Sequence, residues 1–441
     1  MAKAKSKKIM LEDAIVPVDE QPYHIPENWC WTRIKHVSDV VTGSTPSKKH
    51  AEYYGGDFPF FKPADLEAGD NVVEATEYLS EEGKNVSRII PKLSTAVCCI
   101  GSIGKTGLIR VEGTTNQQIN SMIPKINPLY LYYYSKSNVF IEELWNKSTA
   151  TTISLVNKKN METNTIPLAP LAEQKRIVEQ IESLFSKLDE AKEKAQEVID
   201  GYEARNAAVY NDAFSGRLTA QWRKDNYKEN KWETKRFDEV ADIKSNLVEP
   251  SNYLEFPHIA PDNIEKRTGM LLDYHTIAED GVKSRKHRFY AGQILYSKIR
   301  PYLSKVVMVD FDGLCSADMY PIEAKENTKY LLYYMLSDMF LEQASSAGSR
   351  SVLPKINQKE LSAIKVRITS DEEQKEVVRI LDYLLPMMQQ VRDKAVQVVD
   401  NIDAIKKSIL AKAFRGKLGT NIPEDESAME LLKIILNKGE C

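Results

Sequence analysis

The feature that most constrains this chain is an internal repeat with a period of 200 residues. When residues 173–218 are laid over 373–418 without a gap, fourteen of the 46 positions are identical, several-fold more than chance allows. Glu173, Gln174 and Lys175 fall on Glu373, Gln374 and Lys375. Ala213, Phe214, Gly216 and Leu218 fall on Ala413, Phe414, Gly416 and Leu418. The same offset places Tyr130, Leu131, Tyr133 and Tyr134 on Tyr330, Leu331, Tyr333 and Tyr334. Between these anchors the halves diverge. Each half is therefore a variable body of roughly 140 residues followed by a more uniform segment of about 45.

Periodicity predicts that the uniform segments are helices. Apolar residues recur at alternating steps of four and three, the spacing of a coiled-coil seam. In the first copy the seam runs through Ile177, Ile181, Leu184, Leu188, Ala191, Ala195, Val198, Tyr202 and Val209, and in the second through Val377, Leu381, Leu384, Met388, Val391, Ala395, Val398, Ile402, Ile405 and Ile409. Pro170 precedes the first helix, and Gly216 and Gly416 stand where a C-terminal cap belongs. Pro386 lies inside the second helix and is expected to kink or interrupt it. About 44 helical residues span some 66 Å, whereas a body of about 135 residues is only some 30 Å across. The end of the first helix and the start of the second must then be neighbours. The expectation is an antiparallel pair with one variable body at each end.

The fold class that follows is α+β: two globular mixed α/β domains joined by two long antiparallel coiled-coil helices, with pseudo-two-fold internal repetition. Within the bodies, residues 96–100 and 305–309 read as strands, and 130–144 and 330–342 as helical. The expected order is an N-terminal arm (1–22), a first domain (23–166), a central helix (167–218), a polar linker (219–231), a second domain (232–368), a second helix (369–418) and a tail helix (419–441).

Several function classes find no support in the residues. The five cysteines include no CxxC pair, and the six histidines form no HxxxH or HExxH arrangement, so no metal site is expected. Gly101, Gly104, Lys105 and Thr106 match the end of a phosphate-binding loop, but Cys99 stands where the pattern requires glycine. Asn127, Pro128, Leu129 and Tyr130 approximate a base-flipping methyltransferase loop with the wrong third residue and no glycine-rich cofactor loop upstream. Asp371, Glu372 and Glu373 suit a helix N-terminus. No catalytic residue is expected. The basic start (Lys3, Lys5, Lys7, Lys8) leads into Glu12 and Asp13 rather than an apolar core, and no apolar run approaches about 20 residues. A cytoplasmic protein is expected, with no membrane partner.

Clusters that mix cations, amides and aromatics point instead to nucleic acid. Lysine and arginine neutralise phosphates, while arginine, asparagine and glutamine pair with base edges. In the first body the candidates are Lys48, Lys49, Lys62, Lys105 and Thr106, with the amides Asn116, Gln117 and Gln118. In the second they are Lys244, Arg285, Lys286, Arg288, Lys298 and Arg300, followed by Tyr302, Lys305 and Arg350. The formal net charge of −3 is low for a lone DNA binder. Either the cations gather on one face or a partner supplies phosphate contacts.

Together these features resemble the specificity (S) subunits of type I restriction–modification systems, over nearly the whole chain. The resemblance is carried by residues 21–29 (QPYHIPENW) with Trp31, by 42–47 (TGSTPS), and by Phe58, Pro59, Phe60, Asp65 and Leu66. It continues through 101–105, Asn116 and Gln117, then 167–175 (PLAPLAEQK) and 213–219 (AFSGRLT) with Trp222 and Arg223. In the second half 297–305 is the counterpart loop, while 370–375 (SDEEQK) lacks the prolines of the first copy. The resemblance implies two target-recognition domains, each reading half of a bipartite, asymmetric site in double-stranded DNA, with the helices setting the unread spacer. It implies two methyltransferase (M) subunits as partners, with restriction (R) subunits where cleavage is added. S-adenosylmethionine, ATP and Mg would sit on those partners, and this chain would hold no cofactor. A fused methyltransferase would need several hundred more residues. A protein-only coiled-coil adaptor would show no sequence-dependent DNA binding.

Overall fold

The computed structural model describes residues 10–148, 154–226, 228–229, 231–347 and 354–438. The chain forms two compact units, Met1–Glu193 with Val398–Cys441, and Lys194–Gln397. The boundary falls inside both long helices, Leu171–Asp200 and Asp371–Ala413. Each unit thus owns the start of one helix and the end of the other.

In the first unit an antiparallel ribbon pairs Cys30–Arg33 with Thr165–Leu168, tying the entry of the variable body to its exit. Between them lies a four-stranded sheet ordered Ser38–Thr42, Ile119–Pro124, Thr95–Cys98, Thr106–Leu108. A second sheet is ordered Glu77–Leu79, Tyr54–Phe61, Gly113–Thr115, Ile89–Ile90. The second unit repeats the ribbon with Glu233–Arg236 and Lys365–Ile368. Its first sheet has the same order, Ala241–Ile243, Met319–Ala324, Ile294–Ser297, Val306–Met308. Its second sheet repeats the order of the first unit's as His275–Thr276, Pro257–Ile259, Gly313–Cys315, Lys286–Phe289, and adds Leu247–Val248 at the edge. Bodies that diverge in sequence therefore share one topology.

Residues 130–144 fold as two helices, Pro128–Ser135 and Asn138–Asn146, because the Ser137 hydroxyl caps a new start by accepting from the Phe140 N–H. The second unit matches with Thr328–Leu336 and Asp338–Ala347. These pairs carry tyrosines inward against the long helices. In the first unit Tyr130 and Tyr134 hold the Phe414 ring edge-on, at 5.2 and 5.0 Å between centroids. In the second unit Tyr330 and Tyr334 hold Phe214 at 5.3 and 5.0 Å. The repeated Ala-Phe pair is thus the plug by which the end of each helix enters a core.

Contacts inside each unit show that the helix passes run antiparallel. In the first unit Asp189 pairs with Lys406 at 2.5 Å while Glu173 meets Asn421 at 2.8 Å. In the second unit Tyr202 donates to Gln389 at 2.5 Å while Thr219 meets Glu373 at 2.5 Å.

Of the predicted seam, Ile177, Ile181, Val377 and Leu381 are buried, and Leu184, Leu188, Val198, Leu384 and Met388 are half-buried. Ala395 and Ile402 are buried as the seam requires, whereas Val391 and Val398 are 50% and 42% exposed, against expectation. The packed face there is carried by 395 and 402 and not by 391 and 398. The interruption also falls elsewhere than expected. Helix Asp371–Ala413 continues through Pro386, which stands on its exposed face. The first helix instead breaks at Gly201, and Tyr202–Phe214 follows as a separate helix. At the break the Arg205 guanidinium turns back to donate to the carbonyls of Val198 and Glu197. The polar stretch 219–231 is ordered in part as a short helix, Ala220–Asp225. The final helix is Ala428–Lys438. No helix among the described residues is long and apolar enough to cross a membrane.

Candidate nucleic-acid interface

The variable bodies are held in place by a buried carboxylate at the start of each long helix. Glu173 is fully buried and accepts from the Trp29 indole at 2.7 Å and from the Asn421 amide at 2.8 Å. Next to it, Gln174 accepts from the Asn127 N–H at 3.0 Å and donates to the Ala169 carbonyl at 2.8 Å. The second unit repeats this with new partners. Glu373 accepts from the Trp232 indole at 3.0 Å, from the Thr219 and Thr369 hydroxyls, and from Arg223. Gln374 accepts from the Asn327 N–H at 3.2 Å and donates to the Thr369 carbonyl. The identity of the repeated Glu-Gln pair is thus a bonding requirement: one side chain clamps the body's first strand, the other its helix pair. Sequence reading marked the identity but not the burial. The signal available was a tryptophan at the entry of each body.

Rigidly mounted in this way, each body presents a cluster of loops at the ends of its first sheet. In the first unit loop 42–47 lies against 115–118. The Ser44 N–H donates to the Thr115 carbonyl at 2.9 Å, Thr45 and Gln117 bond through their side chains, and the Asn116 amide donates to Gln118 at 2.9 Å. The approach requires glycine at 43, where a Cβ would stand 2.1 Å from the Asn116 carbonyl oxygen. A third loop, 99–105, joins through the Cys99 N–H, which donates to the Gln118 carbonyl at 2.7 Å, and is bridged at Ile100 to Leu155. The matching loops of the second unit are 244–247, 298–305 and 316–318; the Lys298 N–H donates to the Asp318 carbonyl at 3.0 Å, and Ile299 is bridged to Lys355.

The structure gathers some candidates here and withdraws others. Asn116, Gln117 and Gln118 come together, and Gln117 is exposed. Lys48 and Lys49 are exposed on the loop that continues from Thr45. Arg300 and Tyr302 are exposed on loop 298–305. Arg288 is half-buried, with its guanidinium over the rings of Tyr290 and Tyr253 at 4.8 and 5.4 Å. Most other cations are neutralised within the fold. Lys62 pairs with Glu77 at 2.8 Å, Lys105 with Glu67 at 2.7 Å and Lys244 with Glu323 at 2.7 Å. Arg285 pairs with Glu249 at 2.5 Å. Lys298 donates to the Ala317 carbonyl at 2.5 Å, and Lys305 to the Pro261 carbonyl at 2.6 Å. Three candidates are buried, contrary to expectation: Asn116, whose amide bonds to Gln118, together with Thr106 and Lys286. The buried Thr106 hydroxyl donates to the Gly104 carbonyl, and the buried Lys286 ammonium donates to Ser284 at 2.7 Å, its pKa lowered by desolvation. Arg350 lies outside the described residues.

The chemistry this arrangement offers is recognition through amide, hydroxyl and arginine groups on braced loops, with few unpaired cations to grip phosphate. Residues 26–199 and 229–394 match a family model described as the type I restriction modification DNA specificity domain. The chain is 39% identical over 422 residues to the EcoDI specificity subunit of a type I restriction enzyme from Escherichia coli, covering 89% of each chain. It is 24% identical over 429 residues to the MjaIX specificity subunit from Methanocaldococcus jannaschii, covering 89% of this chain and 94% of that one. Among solved structures it resembles the HsdS subunit from Thermoanaerobacter tengcongensis, with a TM-score of 0.67 at 18% identity over 91% of this chain and 100% of that one. At that identity the likeness is one of fold.

Proposed function

This chain belongs to the type I restriction–modification DNA specificity family, and from that premise we propose that it reads a bipartite, asymmetric DNA site and directs adenine-methylating partner subunits to it. It is a non-catalytic, sequence-reading subunit. Each unit takes one half-site through its loop cluster, and the paired helices set the unread spacer, as geometry does in other two-headed readers. The observation that carries this reading is the pairing of one topology with two unlike loop sets on two copies of the same Glu-Gln mount. Mounts built on the same Glu-Gln pair, carrying different loops, are suited to two different half-sites.

The partners are DNA and two methyltransferase subunits, joined by restriction subunits where cleavage is added. S-adenosylmethionine belongs on the methyltransferase, and ATP and Mg on the restriction subunits. The setting is cytoplasmic. The neutralised cations support a division of labour in which the partners supply much of the phosphate contact that a net charge of −3 leaves wanting.

The test is co-expression with the cognate methyltransferase followed by genome-wide mapping of methylated adenines. One motif with a fixed gap, half of which changes when residues 20–165 are exchanged for another body, supports the reading. Methylation that is absent, or indifferent to this chain, overturns it.

A further inference from the structure

Backbone strain in this molecule is concentrated on one loop. Only four non-glycine residues among the described ones have positive φ, and three of them meet at 298–305. Arg300 has φ 48° and Ser304 φ 47°, while Arg267, at φ 62°, donates its N–H to the Ser304 carbonyl at 3.2 Å. Left-handed backbone at a residue with a Cβ is unfavourable, and it persists only where surrounding structure holds it. Here the Arg300 N–H donates to the Pro354 carbonyl at 2.8 Å, and the Ser304 N–H to the Pro301 carbonyl at 2.9 Å.

The corresponding loop of the first unit is built without that strain. Gly101 and Gly104 occupy its left-handed positions, at φ 79° and 88°. Loop geometry alone therefore calls for glycine at the first position, and the second unit has arginine there. The side chain is retained against the backbone preference.

The charge of Arg300 differs from that of its neighbours as well. Lys298, Lys305 and Lys355 are all bonded to carbonyls or carboxylates of the same unit. Arg300 is exposed, and no carboxylate among the described residues pairs with it. A planar five-donor group, aimed from a braced backbone and left unneutralised, suits the bidentate acceptor edge of guanine, O6 and N7, in the major groove. We propose that Arg300 is a specificity-determining residue of the second unit and reads one guanine of that unit's half-site. The inference rests on the DNA-reading function proposed above.

The experiment compares wild type with Arg300→Gly and Arg300→Asn, each co-expressed with the methyltransferase, by genome-wide adenine methylation and by DNA binding of the assembled complex. Glycine and asparagine both accept left-handed backbone, so the loop is kept. Both variants are expected to retain the first half-motif and the gap while one G·C pair of the second half becomes degenerate. Binding to the original site should weaken by roughly five- to 150-fold. An unchanged motif overturns the proposal, whether occupancy is unaltered or falls evenly as for a phosphate contact. Complete loss of methylation in both variants overturns it too, by marking the residue as structural. A wild-type complex with no bipartite motif fails earlier, on the function itself.

Discussion

The Trp29 indole donates to the Glu173 carboxylate at 2.7 Å, and both residues are buried. This joins the first strand of a recognition body to the first turn of the helix that carries it. The corresponding pair in the second unit, Trp232 and Glu373, has Arg223 as an added partner. Glu373→Ala leaves Arg223 and three neutral donors without their acceptor, and should destabilise the second unit by about 3–5 kcal/mol. Glu173→Gln keeps the shape and one acceptor, and should cost about 1–2 kcal/mol in the first unit. Urea unfolding followed by tryptophan fluorescence measures both. Equal losses would show that Arg223 adds nothing.

Phe414 and Phe214 plug different units, so their removal should act on different halves. Phe414→Ala is expected to destabilise the first unit, and Phe214→Ala the second, each by about 3–5 kcal/mol. Hydrogen exchange should localise the loss to residues 30–168 in the first case and 233–368 in the second. Protection lost evenly across both would contradict the assignment of each ring to one core.

His36 makes the first unit sensitive to acid. Burial, then Lys35, Arg33 and Lys125, push its pKa down from 6.5 to about 4. Between those values the unfolded chain binds a proton that the folded chain does not. The stability is therefore complete above pH 6.5 and is lost as pH falls toward about 4. His36→Gln should flatten the slope of the urea midpoint across that window. An unaltered slope would place the acid sensitivity elsewhere.

Gly43 sets how closely loops 42–47 and 115–118 approach. Gly43→Ala cannot be seated without moving loop 42–47 away from 115–118, because the new Cβ would meet backbone oxygen at 2.1 Å. Methylation mapping should show weakened or altered selection at the half-site of the first unit, with the other half-motif retained. Unchanged selection in both halves would remove those loops from the interface.

Much of the architecture was legible because it was written twice. The 200-residue offset, the helix periodicity and the aromatic anchors are local or repeated signals, and the helices and paired tyrosines lie where they indicate. The buried carboxylates were not legible. Glutamate is ordinarily exposed, and the partner of Glu173 lies 144 residues away in the chain. The cations misled for a related reason. A sequence displays the lysine but not the acid that folding places beside it, as with Lys105 and Glu67, 38 residues apart, or Lys305 and Asp262, 43 apart. Val391 and Val398 belong to the same periodic seam as Ala395 and Ile402, yet only the latter two are covered, because periodicity does not tell which half of a wide stripe finds a partner. Arg300 was one cation among many until its backbone set it apart.

The plug that Phe414 supplies to the first core fixes an order of events during synthesis. The second unit is one continuous stretch, Lys194–Gln397, and every residue of its core is synthesised before the helix ending at Ala413 is complete. The first unit is begun earliest and finished last, because its core waits for Leu410, Phe414 and Leu432. Through most of translation the half-built body stands with Tyr130 and Tyr134 uncovered, a nascent surface that chaperones would meet and that an early stop codon would leave permanently open.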